Sequence, residues 1–417
     1  MSIFNFLTLV GGLALFLYGM NVMGEGLTKA SGGKLERILE KLTSNPIKAV
    51  LLGAGVTAVI QSSSATTVMV VGFVNSGIMR LSQAVGVIMG ANIGTTITSW
   101  LLSLTAISSD NFFIQLCKPS SFSPVLAAIG IVYLMFCKNE RRRDLGQVFL
   151  GFAVLMTGME TMSAAVEPLA DVPEFTGILT MFSNPILGLL VGAILTAIIQ
   201  SSSASVGILQ ALCVTDAISF GTALPIIMGQ NIGTCVTALI SSAGATKNAR
   251  RAALIHLYFN VVGTTLFMIV FYSINQFVHF EFLSQPATAA GIAVIHTTFN
   301  VLATLVLLPF GKVLEKMAMM TIRDNEQVET VSEFQALDDR FLSTPAYALE
   351  QAMQVTNRMC EICKTGLLRA FDLIVGKYDE TSEQEIEALE QKVDNYEDKL
   401  GTYLVKLSKY ELSQQDS

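Results

Sequence analysis

The chain has little charge. Of its 417 residues only 14% are Asp, Glu, Lys or Arg, while 52% are hydrophobic, a balance that excludes an ordinary soluble domain. Nothing in it points to nucleic acid, since the net charge is −7. Six cysteines (Cys117, Cys137, Cys213, Cys235, Cys360 and Cys363) show no paired spacing, which excludes a disulfide framework and leaves them as reduced fillers. Cys360 and Cys363 form a CxxC, but with no second pair and no nearby His they read as one helix face. The first apolar segment, Phe4 to Met23, lacks a basic leading region and a small-residue cleavage site, so it reads as a retained span. The apolar segments also hold no acidic residue at mid-membrane depth, which disfavours a proton relay built on carboxylates.

What charge there is sits unevenly. From Phe4 to Pro309 it comes in short clusters between long apolar segments, and from Arg323 to Ser417 the chain is dense in Glu, Asp and Lys. The expected fold is all-α: a polytopic transmembrane region over 1–320, a linker over 321–343 and a cytoplasmic helical segment over 344–417.

Inside the apolar region the string Gln-Ser-Ser-Ser-Ala occurs twice, at Gln61 to Ala65 and at Gln200 to Ala204, 139 positions apart (200 − 61). The same offset relates Ser44-Asn45-Pro46 to Ser183-Asn184-Pro185, and Asn92-Ile93-Gly94-Thr95 to Asn231-Ile232-Gly233-Thr234. An ungapped duplication follows, with repeats over about 4–138 and 143–310. After its first span copy one carries Lys29, Lys34, Arg37, Lys41 and Lys48; the matching part of copy two has no Lys or Arg and instead Glu167, Asp171 and Glu174. Since cytoplasmic loops concentrate Lys and Arg, the repeats are expected to be inverted, as in many secondary transporters.

Each Ser-rich segment is too interrupted for a plain span and predicts a re-entrant hairpin, over Pro46 to about Asn75 and Pro185 to about Val214. Spans follow over Leu81 to Leu104 and Phe220 to Ser242, with an expected interruption at each Asn-Ile-Gly-Thr, and others near Pro124 to Phe136, Gln147 to Met162, Ala252 to Ile274 and Thr288 to Pro309. This path places Arg80, Arg141 to Arg143, Lys247, Arg250, Arg251, Lys312 and Lys316 inside and only Lys118 outside, with the C-terminus cytoplasmic.

Non-helical backbone at mid-depth is tolerated only where it is buried in protein or lines a wet cavity. A helix starting at the Ser cluster points free N–H groups and a positive dipole end where the hydroxyls point, which suits an oxyanion. Hydroxyl and Gln oxygens also suit a small hard cation. The candidate anion and cation ligands are Gln61, Ser62, Ser63, Ser64 and Thr66 with Gln200, Ser201, Ser202, Ser203 and Ser205. Asn92, Thr95, Thr96, Asn231 and Thr234 are candidates for Na⁺ binding or gating, through unwound carbonyls. Gly90, Gly94, Gly188 and Gly192 have the small-xxx-small spacing of close helix packing; packing alone needs neither a Gln nor three hydroxyls in each copy. His256 and Asn260, echoed by His296 and Asn300, predict interhelical hydrogen bonds that fix helices, a reading Tyr258 shares, and Trp100 a packing or interface anchor.

The paired Gln-Ser-Ser-Ser and Asn-Ile-Gly-Thr motifs and the late His-x-x-Phe-Asn elements together resemble the bacterial form of the type II sodium/phosphate cotransporter family, over Phe4 to Pro309. The resemblance implies that both Gln-Ser-Ser-Ser regions bind phosphate and sodium. It implies an inner-membrane symporter importing inorganic phosphate with Na⁺ as coupling ion, no other cofactor, and inorganic phosphate, Na⁺, membrane lipid and a second copy of the chain as partners. An exporter, a phosphate sensor and an intramembrane serine hydrolase using His256 or His296 are the alternatives; the last lacks a Gly-x-Ser-x element around either Ser cluster. From Thr344 the pattern Leu349, Met353, Met359, Leu367, Leu368, then Ile386, Leu389, Val393 and Leu400 resembles the PhoU-like domain of bacterial members, which is longer than this segment, so an incomplete bundle is expected. Glu390 and Asp394, one helical turn apart, resemble the acidic metal-binding element of those domains; a solvated helix face accounts for them as well.

Overall fold

The computed structural model describes residues 3–31, 45–106, 118–169, 172, 182, 184–323, 334, 336–376 and 378–410. Lys34, Arg37, Lys41, Ser44, Asp171, Glu174, Ser183 and Cys117, invoked above, and 324–333 and 335 of the expected linker lie outside the described residues. The chain is an all-α, multi-pass membrane protein. Its described residues include six helices long and apolar enough to cross a bilayer, together with shorter apolar helices.

The first unit comprises 1–71 and 79–324. Its helices are α1 (Ile3–Ser31), α2 (Pro46–Ile60), α3 (Ser63–Asn75, up to Val71), α4 (Leu81–Ser103), α5 (Pro119–Phe136), α6 (Glu140–Val166), α7 (Pro185–Ile199), α8 (Ser202–Leu212), α9 (Phe220–Ser241), α10 (Lys247–Val278), α11 (Ala289–Leu307) and α12 (Gly311–Thr321). Helix α1 packs along α6, α2 along α4, and α7 along α9. One core joins Phe16 and Met23 of α1 to Leu155, Met159 and Met162 of α6, with Leu102 and Ala204. A second gathers Val206 and Leu209, Ile226 and Ile227, and Ile292.

The short helices have matching ends. Asn45 and Asn184 cap α2 and α7: each Oδ1 accepts two backbone N–H groups, at 2.9 and 3.3 Å for Asn45 and 3.0 and 3.3 Å for Asn184. Pro46 and Pro185 take the first helical position, where a missing N–H costs nothing.

One expectation is overturned here. Helices α4 and α9 run without a break through Asn92–Thr95 and Asn231–Thr234. The glycines serve close approach: a Cβ on Gly90 would overlap the Val50 carbonyl of α2, and one on Gly229 the Leu189 carbonyl of α7. Gly94 and Gly233 lie likewise against the Ala54 and Ala193 carbonyls. A helix whose glycines are filled by a neighbouring backbone keeps its own hydrogen bonds, so no unwound carbonyl is offered to an ion.

The second unit comprises 72–78 and 325–417, with α13 (Pro345–Val375) packed on α14 (Glu380–Leu407). Tyr396, Leu400, Tyr403 and Leu407 bury one stripe of α14, and Tyr347, Gln351 and Val355 one stripe of α13. Met353, Leu367 and Leu368, read from the sequence as part of the apolar face, are exposed. The Phe73 ring lies 5.4 Å from those of Phe341 and Tyr347, and Asn75 Nδ2 donates to Asp338 Oδ2 at 2.7 Å.

Candidate functional site

Between α2 and α3 the helix breaks at Gln61-Ser62, and between α7 and α8 at Gln200-Ser201. Both Gln residues adopt left-handed backbone, φ 60° and ψ 21° at Gln61, φ 57° and ψ 24° at Gln200. Each closes the helix before it through its own N–H, donated to Thr57 O and Thr196 O at 2.7 Å in both cases. A non-glycine residue in this conformation costs about 1 kcal/mol or more; two equivalent breaks carry it.

The serines divide into two kinds. Ser62 and Ser201 are caps, their Oγ atoms accepting from Ala65 N at 3.1 Å and Ala204 N at 3.2 Å. Ser63, Ser202 and Ser203 are buried, and their hydroxyls make no hydrogen bond among the described residues. Ser64 Oγ lies 3.5 Å from the Gln200 carbonyl oxygen, so the two breaks meet although 136 positions separate these residues. The N-termini of α3 at Ser63 and of α8 at Ser202 are thus near each other, and positive dipole ends with free hydroxyls are chemistry that suits an anion.

The two breaks are not equally satisfied. In copy one, Gln61 Nε2 donates to Ala58 O, Gln61 Oε1 accepts from Thr98 Oγ1 at 2.8 Å, Thr57 Oγ1 donates to Thr66 Oγ1 at 3.0 Å, and Thr66 Oγ1 donates to Ser62 O at 3.1 Å. In copy two, Gln200 is exposed, and the buried side-chain polar atoms of Thr196, Ser205, Gln230 and the half-buried Thr237 have no hydrogen-bond partner. Thr196, Ser205 and Thr237 occupy the positions of Thr57, Thr66 and Thr98 under the 139-residue offset. Unpaired buried oxygens are costly and call for a ligand or water.

The Asn-Ile-Gly-Thr residues face the late helices. Asn92 Nδ2 donates to Asn260 Oδ1 at 2.6 Å, and Asn231 Nδ2 to Asn300 Oδ1 at 3.2 Å. Asn260 and Asn300 each donate one turn back, to the His256 and His296 carbonyls at 2.9 and 2.8 Å. The threonines turn onto their own helices: Thr95 Oγ1 donates to Ala91 O at 3.1 Å, Thr96 to Ile93 O at 2.7 Å, and Thr234 to Gln230 O at 2.9 Å.

His296 bonds on both sides, to Ser99 Oγ at 2.8 Å and to Asn231 Oδ1 at 3.4 Å. His256 departs from its expected role, for both ring nitrogens are buried and unpartnered; only its carbonyl is engaged, by Asn260 and Cys235. Trp100 Nε1 donates to Thr297 Oγ1 at 3.0 Å with its ring partly exposed, and Tyr258 pairs with Thr321 at 2.6 Å.

Residues passed over in the sequence also matter here. Thr98 holds Gln61, and Gln210 Nε2 ties α8 to α4 and α11 through Ser99 O at 3.0 Å and Ala289 O at 2.8 Å. The 139-residue offset pairs Thr98 with Thr237 and so could have flagged it; no pattern singles out Gln210. In the tail, Glu390 and Asp394 are exposed on α14. No group of three or more His, Cys, Asp or Glu able to hold a metal occurs among the described residues.

The duplication and these contacts can be set beside known proteins. The family described as Na+/Pi-cotransporter matches twice in tandem, over residues 15–164 and 158–321. Across 358 residues the chain is 29% identical to the "Putative inorganic phosphate export protein YjbB" of Escherichia coli (strain K12), an alignment covering 85% of this chain and 62% of that protein. YqeW of Bacillus subtilis (strain 168), named only as an uncharacterized protein, is 30% identical over 311 residues, 74% of this chain and 96% of its own length. The "Sodium-dependent phosphate transport protein 2A" of Rattus norvegicus is 36% identical over 99 residues, 23% of this chain and 15% of that protein. No solved structure matches the chain. The chain thus spans less than two thirds of the length of its export-named relatives. With two tandem matches over the region that holds both Gln-Ser-Ser-Ser breaks, the chain belongs to the Na+/Pi-cotransporter family.

Proposed function

We propose that the chain carries inorganic phosphate across the membrane by alternating access, with the ion held between the two Gln-Ser-Ser-Ser breaks. The observation that carries the reading is the meeting of Ser64 with Gln200, which brings the starts of α3 and α8 near each other; in this reading the unbonded hydroxyls of Ser63, Ser202 and Ser203 turn toward the ion. Phosphate leaving water needs several donors at once, and these groups supply them without a buried cation. In this reading the two repeats are inverted, α2–α3 and α7–α8 enter the membrane from opposite faces as re-entrant hairpins, and their rocking exposes the shared site to each side in turn. Asn92–Asn260 and Asn231–Asn300 tie α4 and α9, which pack along α2 and α7, to α10 and α11.

The export names of similar proteins favour outward movement of phosphate. A second reading, Na⁺-driven uptake, is favoured by the four unpartnered side chains beside the second break, Thr196, Ser205, Gln230 and Thr237. Their oxygens are the ligands a hard cation takes, and relatives over a shorter stretch are named as sodium-dependent.

Proteoliposomes carrying labelled phosphate test both readings. Efflux and uptake are followed under imposed Na⁺, K⁺ and H⁺ gradients, in each orientation. Phosphate flux above that of protein-free vesicles is expected; its absence under every gradient refutes carriage. A flux that responds to Na⁺ but not to K⁺ supports Na⁺ coupling, and a flux indifferent to Na⁺ removes the second reading and leaves the first.

A further inference from the structure

An apolar crevice of about 400 Å³ lies between α9, α10 and α11, closed at one end by the turn Glu281–Ser284. Phe220, Phe267, Phe271, Phe282 and Phe299 wall it, and the rings form a connected set: Phe267 and Phe299 are 5.4 Å apart, Phe267 and Phe271 6.2 Å, Phe271 and Phe282 6.5 Å, and Phe220 and Phe282 6.1 Å. Gly291 keeps it open, since a Cβ there would overlap the Phe220 ring. Thr298 is its one polar lining residue. An ion stripped of water would find almost nothing to replace its hydration shell there, so the crevice is no part of a phosphate path.

Its mouth opens on bilayer-facing surface. Val294, which lines it, is 49% exposed, and Leu266, Ile269 and Val270, beside Phe267 and Phe271 on α10, are 42%, 61% and 47% exposed. Its depth is also defined. At 1.5 Å per residue, Phe267 lies roughly 16 Å along the helix from the end of α10 at Val278. Phe299 lies about 15 Å from the start of α11 at Ala289. Half the hydrocarbon core is about 15 Å thick, so the crevice runs from the interface to the bilayer middle, the depth of one acyl chain. The basic residues Lys247, Arg250, Arg251, Lys312 and Lys316 stand toward the other ends of these helices, which by the charge rule makes this the outer leaflet.

We propose that the crevice is a binding site for one acyl chain of an outer-leaflet phospholipid, seated against the phenylalanine wall. The chain is then the filling of a packed aromatic pocket and exchanges more slowly than lipid on the open surface.

Photocrosslinking tests this. The full chain is reconstituted in vesicles of phosphatidylethanolamine and phosphatidylglycerol doped with a phospholipid that carries a diazirine at mid-chain, then irradiated, and adducts are mapped by mass spectrometry. Adducts on Phe267–Phe271 and Val294–Phe299 are expected to exceed those around Ile198 and Leu305, which are 76% and 63% exposed, by about tenfold. Val294→Trp, which plugs the mouth from an exposed position, is expected to remove that excess and leave the Ile198 adducts unchanged; Gly291→Leu closes the same space from its inner side. Equal labelling of crevice and open surface in the unsubstituted protein overturns the proposal, as does an excess that survives both substitutions. Should either variant fail to elute as a single species, the labelling ratio of the unsubstituted protein decides alone.

Discussion

Ser64 Oγ stands 3.5 Å from the carbonyl oxygen of Gln200, so two identical pentapeptides that are distant in the chain share one place in the fold. The contact makes the serines of one break depend on the backbone of the other. Within each break, however, neighbouring serines have different work.

Ser62 and Ser201 cap helices, while Ser63 and Ser202 leave their hydroxyls free. Ser62→Ala and Ser201→Ala are each expected to lower stability by about 1 kcal/mol, read as a lower melting temperature by circular dichroism in detergent. Ser63→Ala and Ser202→Ala are expected to melt as the unsubstituted protein does while phosphate binding weakens tenfold or more, on the order of 1.5–3 kcal/mol for a hydrogen bond to an ion. Equal loss of stability in all four variants would refute the division.

Glycines on the short helix pairs separate close approach from open space. Gly90→Ala drives a Cβ into the Val50 carbonyl and is expected to cost about 1–3 kcal/mol through overpacking. Gly55→Ala meets nothing within 4 Å and is expected to stabilise by roughly 0.5–1 kcal/mol through helix propensity. Thermal melts of the two variants should move in opposite directions.

Asn92 and Asn260 are both buried and share a 2.6 Å bond. Asn92→Ala strands Asn260 Oδ1 and is expected to cost about 1–3 kcal/mol. A double-mutant cycle with Asn260→Ala should recover part of that loss, because removing both partners leaves no orphan. Strict additivity would show that the bond carries no coupling.

In the second unit Asp338 is a hub. Its carboxylate accepts from Asn75 at 2.7 Å and pairs with Arg340 at 2.6 Å, and its carbonyl accepts from Tyr403 at 3.1 Å. Tyr403→Phe is expected to cost about 1 kcal/mol and Asp338→Ala about 1–3 kcal/mol, measured as faster amide exchange in α14. Exchange rates unchanged by Asp338→Ala would remove the hub from the account.

The start of α14 responds to acid. Hydrogen bonds from Thr381, then Ser382, hold the Asp379 carboxyl below the ordinary 3.8. A depressed carboxylate contributes stability that is complete above its unfolded value and disappears as pH falls through the folded one. The first turn of α14 is therefore expected to fray only below pH 3.8, and Thr381→Ala should move the Asp379 titration midpoint upward by carbon-13 NMR. A midpoint at or above 3.8 in the unsubstituted protein contradicts the hydrogen-bonded cap.

Much of this was legible in the residues themselves. Long apolar runs dictate membrane helices because a bilayer tolerates no unsatisfied backbone. Asn-Pro before an apolar run marks the start of α2 and of α7 through local capping alone. The 139-residue offset exposes the duplication, and polar triplets in apolar surroundings mark the breaks, since both signals are properties of neighbours in sequence. Asn-Ile-Gly-Thr misled for the same reason: Gly and Asn read locally as helix breakers, yet Gly90 and Gly94 are filled by the α2 backbone, a partner that no local pattern names. Only the tertiary structure decided that Ser64 meets Gln200, that Thr98 holds Gln61 while Thr237 holds nothing, and that His296 finds Ser99 while the His256 ring has no partner. Duplicated sequence makes two equivalent breaks; which polar atoms are paired, and which are left to receive a ligand, depends on the atoms that long-range packing brings opposite each one.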